Sequence, residues 1–422
     1  MEKYNEYKDS GVQWLGEIPS HWKIRRIKWL FREEDEKNVN LTYQLLSFSR
    51  NKGIIPFSAI NEKAPSASDL SKYKVLHEGQ LLENRMQAWS GMFGCSHIEG
   101  CVSPDYSVFS PYDSNVVTEY YASLFRIPIF VQQFANASKG IGDGFNRLYT
   151  PQFHKIYAIV PSTIEQHAIV SYLDTKCSKL DTFISNKEKE ITLLQEMKLR
   201  VITDAVTRGL NPNVKFKPTN IPWLPEIPEY WKIKRAKNMF KKEQRPIQDD
   251  DEIVTCFRDG EVTLRKNRRT SGFTEATDYS HYQHICKGDL VIHQMDAFAG
   301  SSGVSDSDGM GTPVLSVCTP KIEGIDNYYY AHVLRIMGKN GFILSLYRGI
   351  RERSSDFRFD TFIKQWLPVP PIEEQHAIVS YITERVAKID SLIEKLNKEI
   401  ECIKEYKQRL ISDVVIGQIK VS

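Results

Sequence analysis

No run of about 18 apolar residues occurs anywhere in this 422-residue chain, so a membrane-spanning helix is not expected. Its opening, Met1-Glu2-Lys3-Tyr4-Asn5-Glu6-Tyr7-Lys8, has no apolar leader core, and the expected location is the cytoplasm. Cysteine is sparse and unpatterned: the seven residues at 95, 101, 177, 256, 286, 318 and 402 include no C-x-x-C. An odd count without spacing predicts reduced, buried thiols rather than a disulfide framework or a metal site. Neither sign of charge dominates, with 56 Lys and Arg against 53 Asp and Glu.

Catalytic signatures are missing too. An adenine methyltransferase needs N/D-P-P-Y/F/W and a glycine-rich cofactor loop. Asn211-Pro212-Asn213 lacks the aromatic, and Gly300-Ser301-Ser302-Gly303 reads as a turn. Pro104-Asp105 has no nearby E-x-K to complete a nuclease metal site; Glu196-Met197-Lys198 lies about ninety residues on. No G-x-x-x-x-G-K-[ST] phosphate loop occurs. His281 and His284 stand three apart without an evident third ligand, which favours surface or core histidines over zinc. No catalytic residue, metal or bound cofactor is therefore expected.

What the chain does have is itself, twice. Trp14-Leu15-Gly16-Glu17-Ile18-Pro19-Ser20-His21-Trp22-Lys23-Ile24-Arg25-Arg26 returns as Trp223-Leu224-Pro225-Glu226-Ile227-Pro228-Glu229-Tyr230-Trp231-Lys232-Ile233-Lys234-Arg235, 209 positions on. Glu165 to Tyr172 returns unchanged as Glu374 to Tyr381, at the same offset. A repeat of this length is a duplicated domain, because solenoid units run to roughly 20–50 residues. From 79 to 111 the offset preserves 12 of 33 residues, mostly Gly, Pro, small and apolar, the types that fix backbone path and packing. The bulky polar residues between them diverge: Asn84-Arg85 becomes His293-Gln294, and Gln87 becomes Asp296.

Each half reads as a globular module followed by a helix. The division is 1–160, 161–212, 213–369 and 370–422. The modules mix aromatic and β-branched runs with turn signals and helical patches near 119–137 and 326–338, which predicts an α+β fold. Ser162-Thr163-Ile164-Glu165 fits a capping box, Pro371 suits a helix's first turn, and Gly209 and Gly417 suit its end. Within the helices apolar residues alternate by four and three. The first seam runs through Leu173, Leu180, Ile184, Ile191 and Lys198, the second through Ile382, Ile389, Ile393, Ile400 and Lys407. That is a heptad seam. Two copies in one chain predict an intramolecular pair, antiparallel if a pseudo-dyad relates the halves. At about 1.5 Å per residue the stretch from 173 to 205 spans about 48 Å, a ruler in which four residues added after Thr207 would shift the next module by about one turn. Lys198 and Lys407 either fix register or mark a seam fraying into solvent.

Two divergent modules, two matching helices and the junction motifs W-L-x-E-I-P-x-x-W (Trp14–Trp22, Trp223–Trp231) and P-x-x-x-E-Q-x-A-I-V (Pro161–Val170, Pro370–Val379) resemble the DNA specificity subunit of type I restriction-modification enzymes, over the whole chain. The resemblance implies that 1–160 and 213–369 are target recognition domains, each reading one half of a bipartite double-stranded DNA site. It also implies that the helices are conserved spacers that set the gap and dock two methyltransferase (modification) subunits. S-adenosylmethionine, and the ATP and Mg2+ used by restriction and translocase subunits, belong to those partners. This chain is then one non-catalytic subunit of a hetero-oligomer. A tandem-module coiled-coil adaptor without DNA specificity stays open as a second reading, and a divergent nuclease or methyltransferase as a third.

Two sets of residues are candidates for DNA contact. Asn84, Arg85, Gln87, His293, Gln294 and Asp296 vary on a shared scaffold, and amide and guanidinium groups pair with base edges. They could equally satisfy their own loops. Arg258, Arg265, Lys266, Arg268 and Arg269 outnumber Asp259 and Glu261 in twelve residues, as a phosphate-tracking turn or a solvated face would.

Overall fold

The computed structural model describes residues 2–50, 52–59, 69–140, 146–269, 271–272, 278–346 and 356–421. Compactness groups the four sequence segments into two units, Met1–Lys187 with Asn397–Ser422 and Glu188–Leu396. Each unit holds one module, part of the long helix Thr163–Arg208 and part of the long helix Ile372–Val415.

In the first unit a four-stranded antiparallel sheet has the order Phe31–Glu34, Tyr106–Pro111, Leu81–Asn84, Phe93–Cys95. Alternation along these strands sends Leu81, Phe93 and Phe109 into the main core with Tyr120, Leu124 and Phe134 of two short helices, Thr118–Leu124 and Pro128–Ala137. It sends Leu82 and Val108 to a smaller core under the hairpin Leu46–Ser49/Gly53–Pro56. A strand buried on both faces needs apolar residues at successive positions, which Leu81-Leu82 supplies.

The second unit repeats this sheet as Phe240–Lys242, Leu315–Pro320, Leu290–His293, Ser302–Val304. Pairings match at the 209 offset: Pro111 faces Phe31 and Pro320 faces Phe240, and Val108 faces Leu82 as Val317 faces Val291. Helix Asn327–Lys339 covers its main core, and the hairpin Val254–Cys256/Val262–Leu264 covers the smaller one.

The junction motifs are the joints between module and helix. Glu165 completes a capping box with Ser162, whose hydroxyl lies 3.3 Å from the Glu165 amide while the carboxylate accepts the Ser162 N–H at 3.1 Å. The same carboxylate accepts the indole N–H of Trp22 at 2.9 Å and meets His21 Nε2 at 2.8 Å. Glu374 likewise accepts from Trp231 at 3.0 Å and from the Tyr230 hydroxyl at 3.0 Å. Gln166 accepts the Val117 N–H and donates to Asn115 and Pro161 carbonyls; Gln375 does the same with Asp326, Gly324 and Pro370. Each module also caps the other helix's far end. Tyr120 donates to the Val415 carbonyl at 2.9 Å and Tyr329 to the Val206 carbonyl at 2.8 Å. Each unit therefore grips the start of one long helix and the end of the other, which makes its two helical segments antiparallel.

The helix faces least open to solvent are those on which heptad spacing puts the seam. Leu173, Ile382, Ile389 and Ile400 are buried, while Leu180, Ile184, Ile191 and Ile393 are half-buried between exposed neighbours. The two seam lysines are paired. Lys407 Nζ meets the Asp181 carboxylate at 2.5 and 2.7 Å in one unit, and Lys198 meets Asp390 at 2.7 and 2.8 Å in the other. Both pairs are the same contact moved by 209 residues, with one antiparallel register. The helices stop where Gly209 and Gly417 take φ values of 74° and 79°, a left-handed step open to glycine. A Cβ at Gly417 would also stand 2.6 Å from Pro19 and 2.8 Å from Trp22.

Candidate nucleic-acid interface

The candidate base-reading residues lie in one turn of each module, at the end of the sheet's third strand. Asn84 Oδ1 accepts the Met86 N–H at 3.2 Å, and His293 Nδ1 accepts the Asp296 N–H at 3.1 Å. Different side chains thus close the same turn at equivalent positions, as an Asx-type cap does. Asn84 Nδ2 donates to Gln87 Oε1 at 3.4 Å. Burial pushes the His293 imidazole below its ordinary value, although Asp296 pulls the other way, so the ring can serve as an acceptor at neutral pH.

The next residue reaches back across the sheet in both modules. Arg85 Nε donates to Ser107 Oγ at 2.7 Å and its Nη2 to Glu33 at 3.0 Å; Gln294 Nε2 donates to Ser316 Oγ at 3.2 Å. The neighbouring hairpin tip is tied to the turn by an arginine. Arg50 donates to Ser90 at 2.7 Å, and Arg258 pairs with Asp296 at 2.9 Å. Turn and hairpin tip therefore form one surface, on which Met86 and Trp89 are exposed in the first module and Met295 in the second. Such a surface can offer aromatic and thioether faces as well as polar groups.

The basic run of the second module is largely compensated by nearby carboxylates. Lys266 meets Glu252 at 2.5 Å, and Arg268 meets Asp259 at 2.6 Å and Glu261 at 2.7 Å while lying over the Phe257 ring. Arg269 donates to the Ser271 and Gly272 carbonyls, and Arg265 begins the short turn Arg265–Asn267. A cation held by a carboxylate must exchange that partner for a phosphate, so its contribution to binding is reduced.

The comparisons with known proteins agree in one direction. No family profile matches the chain. Its curated relatives include the type I restriction enzyme MjaVIII specificity subunit of Methanocaldococcus jannaschii, 24% identical over 293 residues that cover 66% of each chain. The putative MjaX specificity subunit of the same organism is 22% identical over 96% of both chains. Two solved structures share the fold. One is a chain of a type I restriction-modification assembly (TM-score 0.68, 12% identity, 95% of this chain and 99% of that one). The other is the HsdS subunit of Thermoanaerobacter tengcongensis (0.53, 13%, 95% and 98%). The sequence relatives are type I specificity subunits.

Among the described residues of this fold, two side-chain groups have metal-ligand composition. Cys95, His97 and Glu119 bring one ligand atom each to within 4.8 Å of one another, as do His284, Cys286 and Asp308. The second group supplies His284 with companions that sequence spacing did not reveal, because the fold brings strand Gln283–Ile285 beside the turn carrying Asp308. His284 Nδ1 is bonded to Asp251 at 2.8 Å and Asp308 Oδ1 accepts the Lys287 N–H at 3.0 Å. His281 belongs to neither group.

Sequence reasoning also passed over cations inside the copied motif itself. Lys23, Arg25, Arg26 and Lys28 in one module and Lys232, Lys234, Arg235 and Lys237 in the other have no carboxylate partner among the described residues. Their sequence signal is the pattern K-I-R-R-I-K and K-I-K-R-A-K, which lies at the copied junction rather than in the divergent turns.

Proposed function

We propose that this chain is the DNA-recognition subunit of a type I restriction-modification complex, each module reading one half of a bipartite, asymmetric double-stranded site. The observation that carries the reading is the duplication at residue level. Sheet register, helix joints and seam bridges recur at one offset, while turn residues Asn84, Arg85 and Gln87 differ in chemistry from His293, Gln294 and Asp296 at equivalent places. Two copies of one scaffold with unlike decoration suit two unlike half-sites. In this reading the paired helices fix the gap between half-sites and dock two methyltransferase subunits, whose pseudo-symmetric sites match the copied seam. The chain is non-catalytic and cytoplasmic, and S-adenosylmethionine, ATP and Mg2+ act on partner subunits.

Single-molecule methylome sequencing of the host with and without this gene tests the proposal. The expected result is loss of adenine methylation at a two-part motif when the gene is removed. An unchanged methylome, with the partner methyltransferase expressed, would favour the adaptor reading.

A further inference from the structure

The strongest unassigned surface is a basic ribbon that the duplication places once in each unit. Lys23–Arg26 pairs antiparallel with Tyr157–Val160, and Lys232–Arg235 with Trp366–Val369. Four cations fall within six residues in each copy, with no acid among them: Lys23, Arg25, Arg26 and Lys28, then Lys232, Lys234, Arg235 and Lys237. All are exposed except Lys234, which is half-buried.

Their setting differs from that of the basic run at 258–269. There, carboxylates hold Arg258, Lys266 and Arg268 at 2.5–2.9 Å. In the ribbons no carboxylate partner occurs among the described residues, and three of the cations lie against exposed aromatic rings instead. The Arg26 guanidinium sits 5.3 Å from the Tyr157 ring centre and Lys28 Nζ 4.9 Å from that of Trp29; Arg235 sits 4.9 Å from that of Trp366. Tyr157 and Trp366 are equivalent positions, so the arginine–aromatic pair is itself copied. Ile24, Arg25, Arg26, Trp29 and Tyr157 line an open depression in the first unit.

We infer that these two ribbons bind the phosphate backbone of double-stranded DNA, one contact region per unit. Resting on the specificity-subunit reading, this assigns the affinity to copied residues and leaves sequence choice to the divergent turns. Contact with a ring face attracts the guanidinium and holds its charge at the surface without neutralising it. Alternate residues of a strand stand about 6.8 Å apart, about two duplex steps of 3.4 Å. A partner with a repeating line of negative charge fits both copies without needing two different complementary surfaces, which favours a duplex over an acidic protein patch.

The test uses the full chain, a mixed-sequence DNA duplex and binding measured over a range of salt concentrations. Arg25→Gln with Arg26→Gln, and separately Lys234→Gln with Arg235→Gln, are expected to weaken binding and lower the log–log salt slope by about 0.9 per lost contact. Lys266→Gln with Arg268→Gln serves as the comparison and is expected to lower it less. Circular dichroism melting of every variant separates lost contacts from lost folding. If the parent binds with a steep salt slope and both ribbon variants match it, the ribbons do not touch phosphate and the inference falls while the specificity reading survives. If the ribbon variants bind DNA normally but no longer co-purify with the co-expressed methyltransferase subunit, the surface belongs to that protein and the inference is overturned. If the parent itself shows no salt-dependent binding, the specificity reading fails as well.

Discussion

Glu83 places a carboxyl inside the first sheet's core. It faces the main core beside Phe93 and Ser107 and is fully buried. Burial pushes its carboxyl up to about 8, against the pull of Ser107 and Arg85. The unfolded chain ionises this group near 4.5, so the native state loses stability as pH rises from there towards 8. Its counterpart in the second module is Ile292. Glu83→Ile should therefore raise the melting temperature, and by more at pH 8 than at pH 5; an equal gain at both would show that ionisation is not involved. Glu165 has the opposite sign. Burial would raise its carboxyl, but hydrogen bonds from Trp22, His21 and Ser162 outweigh that and hold it at about 2. Its stabilisation is present above its ordinary value near 4.5 and is lost as pH falls towards 2. Glu165→Gln should flatten that acid limb in thermal melts, whereas an unchanged limb would locate the loss in other carboxylates. Glu165→Ala, which strands a buried indole N–H, is expected to cost about 1–3 kcal/mol.

At the scale of elements, the long helices are held by two kinds of contact of unequal weight. The Lys198–Asp390 and Lys407–Asp181 bridges are half-exposed, and such pairs contribute about 0.2–1 kcal/mol. Truncating a buried seam residue costs about 2–5 kcal/mol. Double-mutant cycles on each lysine–aspartate pair should accordingly give small, similar couplings in urea unfolding, while Ile389→Ala and Ile400→Ala should each cost several-fold more. Couplings above those of the seam truncations would mean that the bridges, rather than the apolar seam, hold the helices. The small energy does not make the bridges idle: a cation at a seam position disfavours registers that leave it without an acid.

For the whole molecule, the joints decide where a spacer can be altered. The end of the first long helix is not a free arm. Val206 is buried, its carbonyl accepts from Tyr329, and a Cβ on Gly209 would stand 2.6 Å from Glu374 and 3.2 Å from Trp231. Four residues added after Thr207 would break this docking within the second unit instead of lengthening a ruler. The helical stretch where the units meet in sequence, at Lys187/Glu188 and Leu396/Asn397, carries no module–helix joint of this kind among the described residues. One heptad inserted at both places keeps the seam in phase and lengthens each helix by about 10 Å. The expected methylome keeps both half-sites and widens the non-specific gap by about three base pairs at 3.4 Å per step. A changed half-site with an unchanged gap would remove the helices from spacing.

The sequence alone determined the duplication, the heptad seams and the helix ends, because each rests on local order: an offset, a period of three and four, a glycine that can turn left-handed. It also marked Glu165 as a cap, since a capping box spans only four residues. What it could not supply was any contact made across sequence distance. Glu165 serves Trp22 from 143 positions away, Tyr120 closes a helix end 295 positions on, and neither spacing carries a periodic signal. The same limit governed the charges. A run of arginines reads as basic whether or not acids face it, and only the fold brings Glu252, Asp259, Glu261 and Asp296 against Lys266, Arg268 and Arg258. It leaves the shorter ribbons Lys23–Lys28 and Lys232–Lys237 without carboxylate partners among the described residues. Charge count is a property of composition, but free charge is a property of tertiary structure, because neutralisation falls off over a few ångströms that the linear chain does not encode.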